Sequence, residues 1–161
     1  MKYEPYPMER TTTPEGRRYK IPGTDETYES ITTALGKNPE KKKSLQEWRK
    51  RVGEEEADRI SRIASHRGTR VHAVIEKYLE GNEYYTRGEM PNVIEMFNSV
   101  KPYLDTNITS VYLQEAFLFS HKYKLAGQVD CIDNYDGYRC IIDFKTSSKP
   151  KKKEWIEDYF L

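Results

Sequence analysis

The feature that most constrains this chain is a change of hydrophobic period near residue 108. Before it, Leu45, Trp48 and Val52, then Ala57, Ile60, Ile63 and Ala64, recur every three or four residues, the spacing of a helical stripe that packs inward. After it, Val111, Leu113, Phe117 and Phe119 fall on alternate positions, the spacing of a strand with one apolar face. The helical part divides into three. A first helix starts after Ser44, an N-cap with Glu47 in capping-box register, and runs to Gly68 with Gly53 as a point of interruption. A second is capped by Thr69, carries Val71, Val74, Ile75, Tyr78 and Leu79, and stops at Gly81; a third covers 92–104. Strands are expected over 108–119, 123–134 and 138–145. Residues 1–28, with Pro5, Pro7, Pro14 and Pro22, read as an arm with a small hairpin near Arg18 to Ile21. Residues 151–161 read as the start of another helix.

Asp136-Gly137 is a two-residue hairpin signal, and it fixes a register. Facing residues then have numbers summing to 273, which sets Asp130 opposite Asp143. Directly opposed residues share a face with Cβ atoms about 4.5 to 5.5 Å apart, and Lys145, two residues beyond Asp143, shares that face too. Two carboxylates this close repel unless a cation lies between them, so a divalent metal is the economical explanation. Hard oxygen ligands suit Mg²⁺ or Mn²⁺, which would acidify a water and polarise a phosphate, with Lys145 stabilising developing negative charge. Glu115 stands in the apolar register of the preceding strand and is the natural third carboxylate. Asp133 and Asp136, near the turn, read as solvated, and His66 and His121 have no assigned role.

These residues form an ordered set with Arg67-Gly68-Thr69-Arg70-Val71-His72 upstream, Gly127-Gln128-Val129-Asp130, and Ile142-Asp143-Phe144-Lys145-Thr146. The set resembles the PD-(D/E)xK nuclease superfamily and its RecB-like exonuclease branch, which includes phage and mitochondrial exonucleases. The stretch from Ser30 to Leu35, followed by Trp48-Arg49, is similar to the amino-terminal part of such enzymes. The resemblance implies a restriction-endonuclease-like α/β core, a central mixed β-sheet flanked by α-helices, over residues 29–161. It implies that His72, Asp130, Asp143 and the backbone carbonyl of Phe144 hold the metal, that Lys145 is the catalytic lysine, and that Glu115 positions the metal or its water. Glu76, one turn from His72, is either a partner of that site or an exposed charge. The branch's glutamine–tyrosine motif would fall past Leu161, so the domain is expected to stop short of it. The implied activity is Mg²⁺- or Mn²⁺-dependent exonucleolytic hydrolysis of DNA with a free end. The alternatives are a module that binds DNA without cutting and a structure-selective endonuclease of the junction-resolvase type.

Charge supports a polyanionic partner only once it is divided along the chain. The net charge of the 161 residues is +1, yet residues 37–70 hold 11 basic against 6 acidic residues, and residues 145–153 hold 5 basic and no acidic ones. Arg67, Arg70, Lys149, Lys151, Lys152 and Lys153 are therefore the expected phosphate contacts. Mean hydropathy is −0.92, and no run of apolar residues is long enough to span a bilayer, so no membrane partner is expected. Two cysteines, Cys131 and Cys140, are too few for a four-cysteine iron–sulfur cluster. Both lie on the face opposite the aspartates, as buried thiols. A reducing cytoplasm is the expected compartment, with a phage-infected host as one setting.

Overall fold

A computed structural model describes residues 7–147 of the chain. The expected helix over 151–161 and Lys149, Lys151, Lys152 and Lys153 lie outside the described residues.

Residues expected as an arm carry three strands. β1 (Arg10–Thr13) and β2 (Gly16–Lys20) form a hairpin turning at Pro14-Glu15, earlier than the expected one, and β2 pairs antiparallel with β3 (Thr27–Ser30). The short α1 (Ile31–Leu35) follows. α2 (Pro39–Val52) begins well before Ser44, because Asn38 accepts from the amides of Glu40 and Lys41 and Pro39 presets the first helical φ. Gly53, at φ 88°, breaks the helix where expected. α3 (Glu54–Leu79) then runs through Gly68 without interruption, with Glu54, Glu55 and Glu56 favouring its positive end. Thr69 does not cap; its hydroxyl donates to the Ser65 carbonyl one turn back. Gly68 serves packing instead, since a Cβ there would stand 3.3 Å from Thr146 Oγ1. α4 (Pro91–Asn107) leads into β4 (Ile108–Ser120), β5 (Leu125–Tyr135) and β6 (Tyr138–Ile142).

The six strands form one mixed sheet, ordered β1-β2-β3-β5-β4 with β6 also on β5. The 136–137 turn has φ 50° at Asp136 and 81° at Gly137, the paired left-handed conformation of a tight hairpin. Cys131 faces Ile142 and Tyr135 faces Tyr138, so the deduced register holds. β4 covers β5 along one side. On the other side β3 pairs parallel with β5 as far as Ala126, and pairing with β6 covers β5 from Cys131 onward. Among the described residues, 127–130 of β5 thus lie in a notch between two strand ends.

Two apolar clusters hold the sheet. Val71, Val74 and Ile75 of α3 pack with Val93, Phe97 and Leu104 of α4, and Phe144 joins them. Met8, Tyr19, Ile21 and Tyr28 pack with Ala126 under the amino-terminal strands. The amino-terminal part of the expected helical stripe is core only at Ala57. α2 buries no residue, and Leu45, Ile60 and Ile63 are exposed, because no element covers that face among the described residues. Asp133 is also unlike its expected solvated state. It is fully buried, its Oδ1 accepts from the amides of Ser110 and Asn134, and Oδ2 has no partner. The β4 ladder shifts register beside Val111, so the loose Ser110 amide needs an acceptor and Asp133 supplies one. Cys131 and Cys140 are free thiols; Cys131 is buried, and burial pushes it up to about 12.

Candidate metal and phosphodiester site

The notch in the sheet is where the chemistry-bearing residues meet. Asp130 projects from β5. Its Oδ2 accepts from the Phe144 amide at 2.6 Å, and its Oδ1 lies 3.4 Å from His72 Nδ1. Val71, Val74 and Ile75 of α3 are core residues, and they fix the helix so that His72 reaches across to β5. The Phe144 ring stands edge-on to the imidazole at 6.2 Å between centroids. Glu115 completes the group. One ligand atom from each of His72, Glu115 and Asp130 lies within 4.8 Å of the other two.

Glu115 is held unusually. Its neighbours Gln114 and Ala116 pair with Cys131 and Val129 in unbroken register, yet Glu115 has φ 48° in the middle of a strand. A non-glycine residue pays about 1 to 2 kcal/mol for that conformation. Gln128 Nε2 donates to the Glu115 carbonyl at 3.1 Å and to its Oε2 at 2.9 Å.

The electrostatics are those of a site wanting a cation. Burial, then the charges of Asp130 and Glu76, push the Glu115 carboxyl above its ordinary range. A hydrogen bond donated to Asp130 raises His72 against the opposing effect of burial. Burial pushes Asp130 up as well, but the His72 hydrogen bond and the Phe144 amide outweigh it and leave the carboxyl below its ordinary range. The imidazole thus lies against Asp130, in the place where a divalent ion would neutralise the same two carboxylates. The two carboxylates are hard oxygen donors of the kind Mg²⁺ and Mn²⁺ accept, with the imidazole a borderline third, so the residues fit such an ion.

Asp143 and Lys145 lie beside this group as a pair of their own, Nζ to Oδ1 at 2.6 Å, both partly exposed. Asp143 is outside the three-residue cluster, whereas the charge of Lys145 is felt at both His72 and Asp130. β6 ends at Ile142, so the Asp143–Lys145 segment lies just past the strand pairing with β5. Of the expected phosphate contacts, Arg67 has a buried Nε without a partner, and Arg70 makes two parallel bonds to Glu89. Two residues went unassigned in the sequence. Gln128 carried a signal, since it lies two positions from Asp130 on one strand; Glu89 carried none, because its partner is 19 residues away.

The chain belongs to the PD-(D/E)XK nuclease superfamily, whose family model matches residues 40–159. The mixed sheet with flanking helices is the restriction-endonuclease-like α/β fold of that class. Among individual proteins it is similar to mitochondrial genome maintenance exonuclease 1 of Mus musculus, 30% identical over 138 residues that cover 82% of this chain and 40% of the relative. The Homo sapiens protein of that name is 25% identical over the same shares, and the Xenopus tropicalis one is 28% identical over 120 residues, 72% of this chain and 34% of its own length. The chain thus spans about 40% of the length of the curated relatives it matches. By name these relatives are mitochondrial rather than phage proteins. No described helix is long and apolar enough to cross a membrane.

Proposed function

We propose that this chain is a metal-dependent deoxyribonuclease domain that hydrolyses phosphodiester bonds from a free DNA end. The observation that carries the reading is the convergence of His72, Glu115 and Asp130 in the notch of β5, beside the Asp143–Lys145 pair. His72, Asp130, Asp143 and the Phe144 carbonyl would hold Mg²⁺ or Mn²⁺, with Glu115 orienting the ion or its water. A bound divalent ion supplies Lewis acidity and an acidified water. The protein's own residues do the rest. The Phe144 amide fixes one oxygen of Asp130 and leaves the other for the site. Lys145 brings a positive charge against the negative charge that builds on the phosphoryl oxygens. Asp143 orients that ammonium. Arg67, Arg70, Lys149, Lys151, Lys152 and Lys153 would attract the backbone without sequence preference, and binding would weaken steeply with salt. Exonucleolytic action is taken from the names of the relatives. The free Cys131 and Cys140 are consistent with a reducing compartment and supply no iron–sulfur ligand set.

End-labelled linear DNA and a closed circle, incubated with the protein in Mg²⁺, Mn²⁺ or EDTA, test this directly. Release of label from the linear substrate only, abolished by EDTA and by Asp130→Ala, is the expected result. Cutting of the closed circle would indicate an endonuclease. Metal-independent binding without cleavage would leave a DNA-binding module.

A further inference from the structure

Gln128 is paired with Phe117 in the β4–β5 ladder, but its side chain is part of no core cluster. It is solvent-exposed, and its amide reaches across to the neighbouring strand. There it meets Glu115 twice, at the main-chain carbonyl and at the carboxylate. A single donor group bridging both ends of one residue fixes the backbone and the side chain relative to each other. The residue so fixed is the one with positive φ inside a strand, a conformation that persists only where surroundings impose it. We infer that Gln128 is a positioning residue that clamps Glu115 in its left-handed conformation and so aims the carboxylate at His72 and Asp130.

The chemistry of the bridge suits that task. A neutral amide donates to the carboxylate without competing with a cation for its charge, as an ammonium or guanidinium would. The clamp also arises from the strand that carries Asp130, two residues on, so Glu115 and Asp130 are referred to a single rigid element. The functional half of the inference rests on the metal reading above.

Gln128→Leu keeps roughly the shape and removes the donor. Because Gln128 is exposed, the variant is expected to fold and to unfold in EDTA at the parent temperature. Two readouts follow. In the metal-free protein, the three-bond amide–Hα coupling of Glu115 should rise toward the extended-strand value in Gln128→Leu. With Mn²⁺ alone, followed by electron paramagnetic resonance of the free ion, Gln128→Leu should bind about tenfold more weakly, the low end of what partners of metal ligands usually contribute. In a Glu115→Ala background the same substitution should cost nothing further, which a general structural role would not predict. An unchanged coupling overturns the clamp. A parent that binds Mn²⁺ and a Gln128→Leu variant that binds it equally well overturn the positioning role alone. A parent that binds no Mn²⁺ overturns the metal reading and the functional half of this inference together.

Discussion

Arg70→Met separates two uses of one side chain. The sequence offers Arg70 to DNA, whereas the fold engages it with Glu89 through bonds of 2.8 and 2.7 Å. The Glu89 side chain is only 1% exposed and that of Arg70 44%. Removing the partner of a buried carboxylate costs about 3 to 5 kcal/mol when the pair is wholly buried. Water reaches the outer side of Arg70, so the loss here is set lower, at about 2 kcal/mol. In a domain of this size about 1 kcal/mol moves Tm by about 2 to 4 °C. Arg70→Met should therefore lower Tm by roughly 6 °C in calorimetry. Adding Glu89→Met removes the stranded charge and should recover most of that loss. An unchanged Tm in Arg70→Met would refute the reasoning, whatever the variant does to salt-sensitive DNA binding.

Other perturbations read the remaining contacts. Lys145→Met removes an exposed pair and should move stability by less than about 1 kcal/mol, while DNA cleavage falls by about 100-fold or more, measured on end-labelled substrate. The pH dependence of the metal-free protein has a definite sign. His72 and Glu115 have folded pKa values above their unfolded ones, so their contributions are complete below the unfolded values and are lost as pH rises through the folded ones. Asp130 is lowered, so its contribution is lost in the opposite direction, as pH falls through its folded value. Urea midpoints in EDTA should accordingly decline on the alkaline side of pH 6.5, the ordinary value for a histidine, and His72→Gln should flatten that decline. Gly68→Ala gains helix propensity of up to about 1 kcal/mol, and Thr146 needs to give way by only a few tenths of an ångström, so Tm should hold or rise. Gly68→Val, with two more carbons toward Thr146, should lower Tm, and a rise would refute the close approach of α3 to Thr146.

The hairpin register was readable because two independent signals agreed. Asp136-Gly137 demands a tight left-handed turn, and the alternation on either side admits a single phase. Glu115 was conspicuous for a related reason, a charge on an apolar beat. What escaped was long-range. Nothing near Gly68 reveals that Thr146 will press on it, so a packing glycine looked like a helix end. Leu45, Ile60 and Ile63 have ideal helical spacing, but periodicity states which residues share a face and not whether anything covers it. Asp133 resembled any polar residue near a turn until the register shift in β4 supplied an amide needing an acceptor. Asp143 shows where the limit lies: its phase was right, but strand pairing ended one residue before it.

The parallel contact between β3 and β5 also has a consequence in time. Glu29 meets Leu125, a separation of 96 residues. At about 5 to 20 residues per second, the ribosome needs roughly 5 to 20 s to deliver that partner. Until then Tyr19, Ile21 and Tyr28 have no Ala126 to pack against, and the first strands wait with their apolar side chains open to chaperones. The strand bearing Asp130 is thus seated only after that interval, and β1 to β3, although synthesised earlier, are completed late.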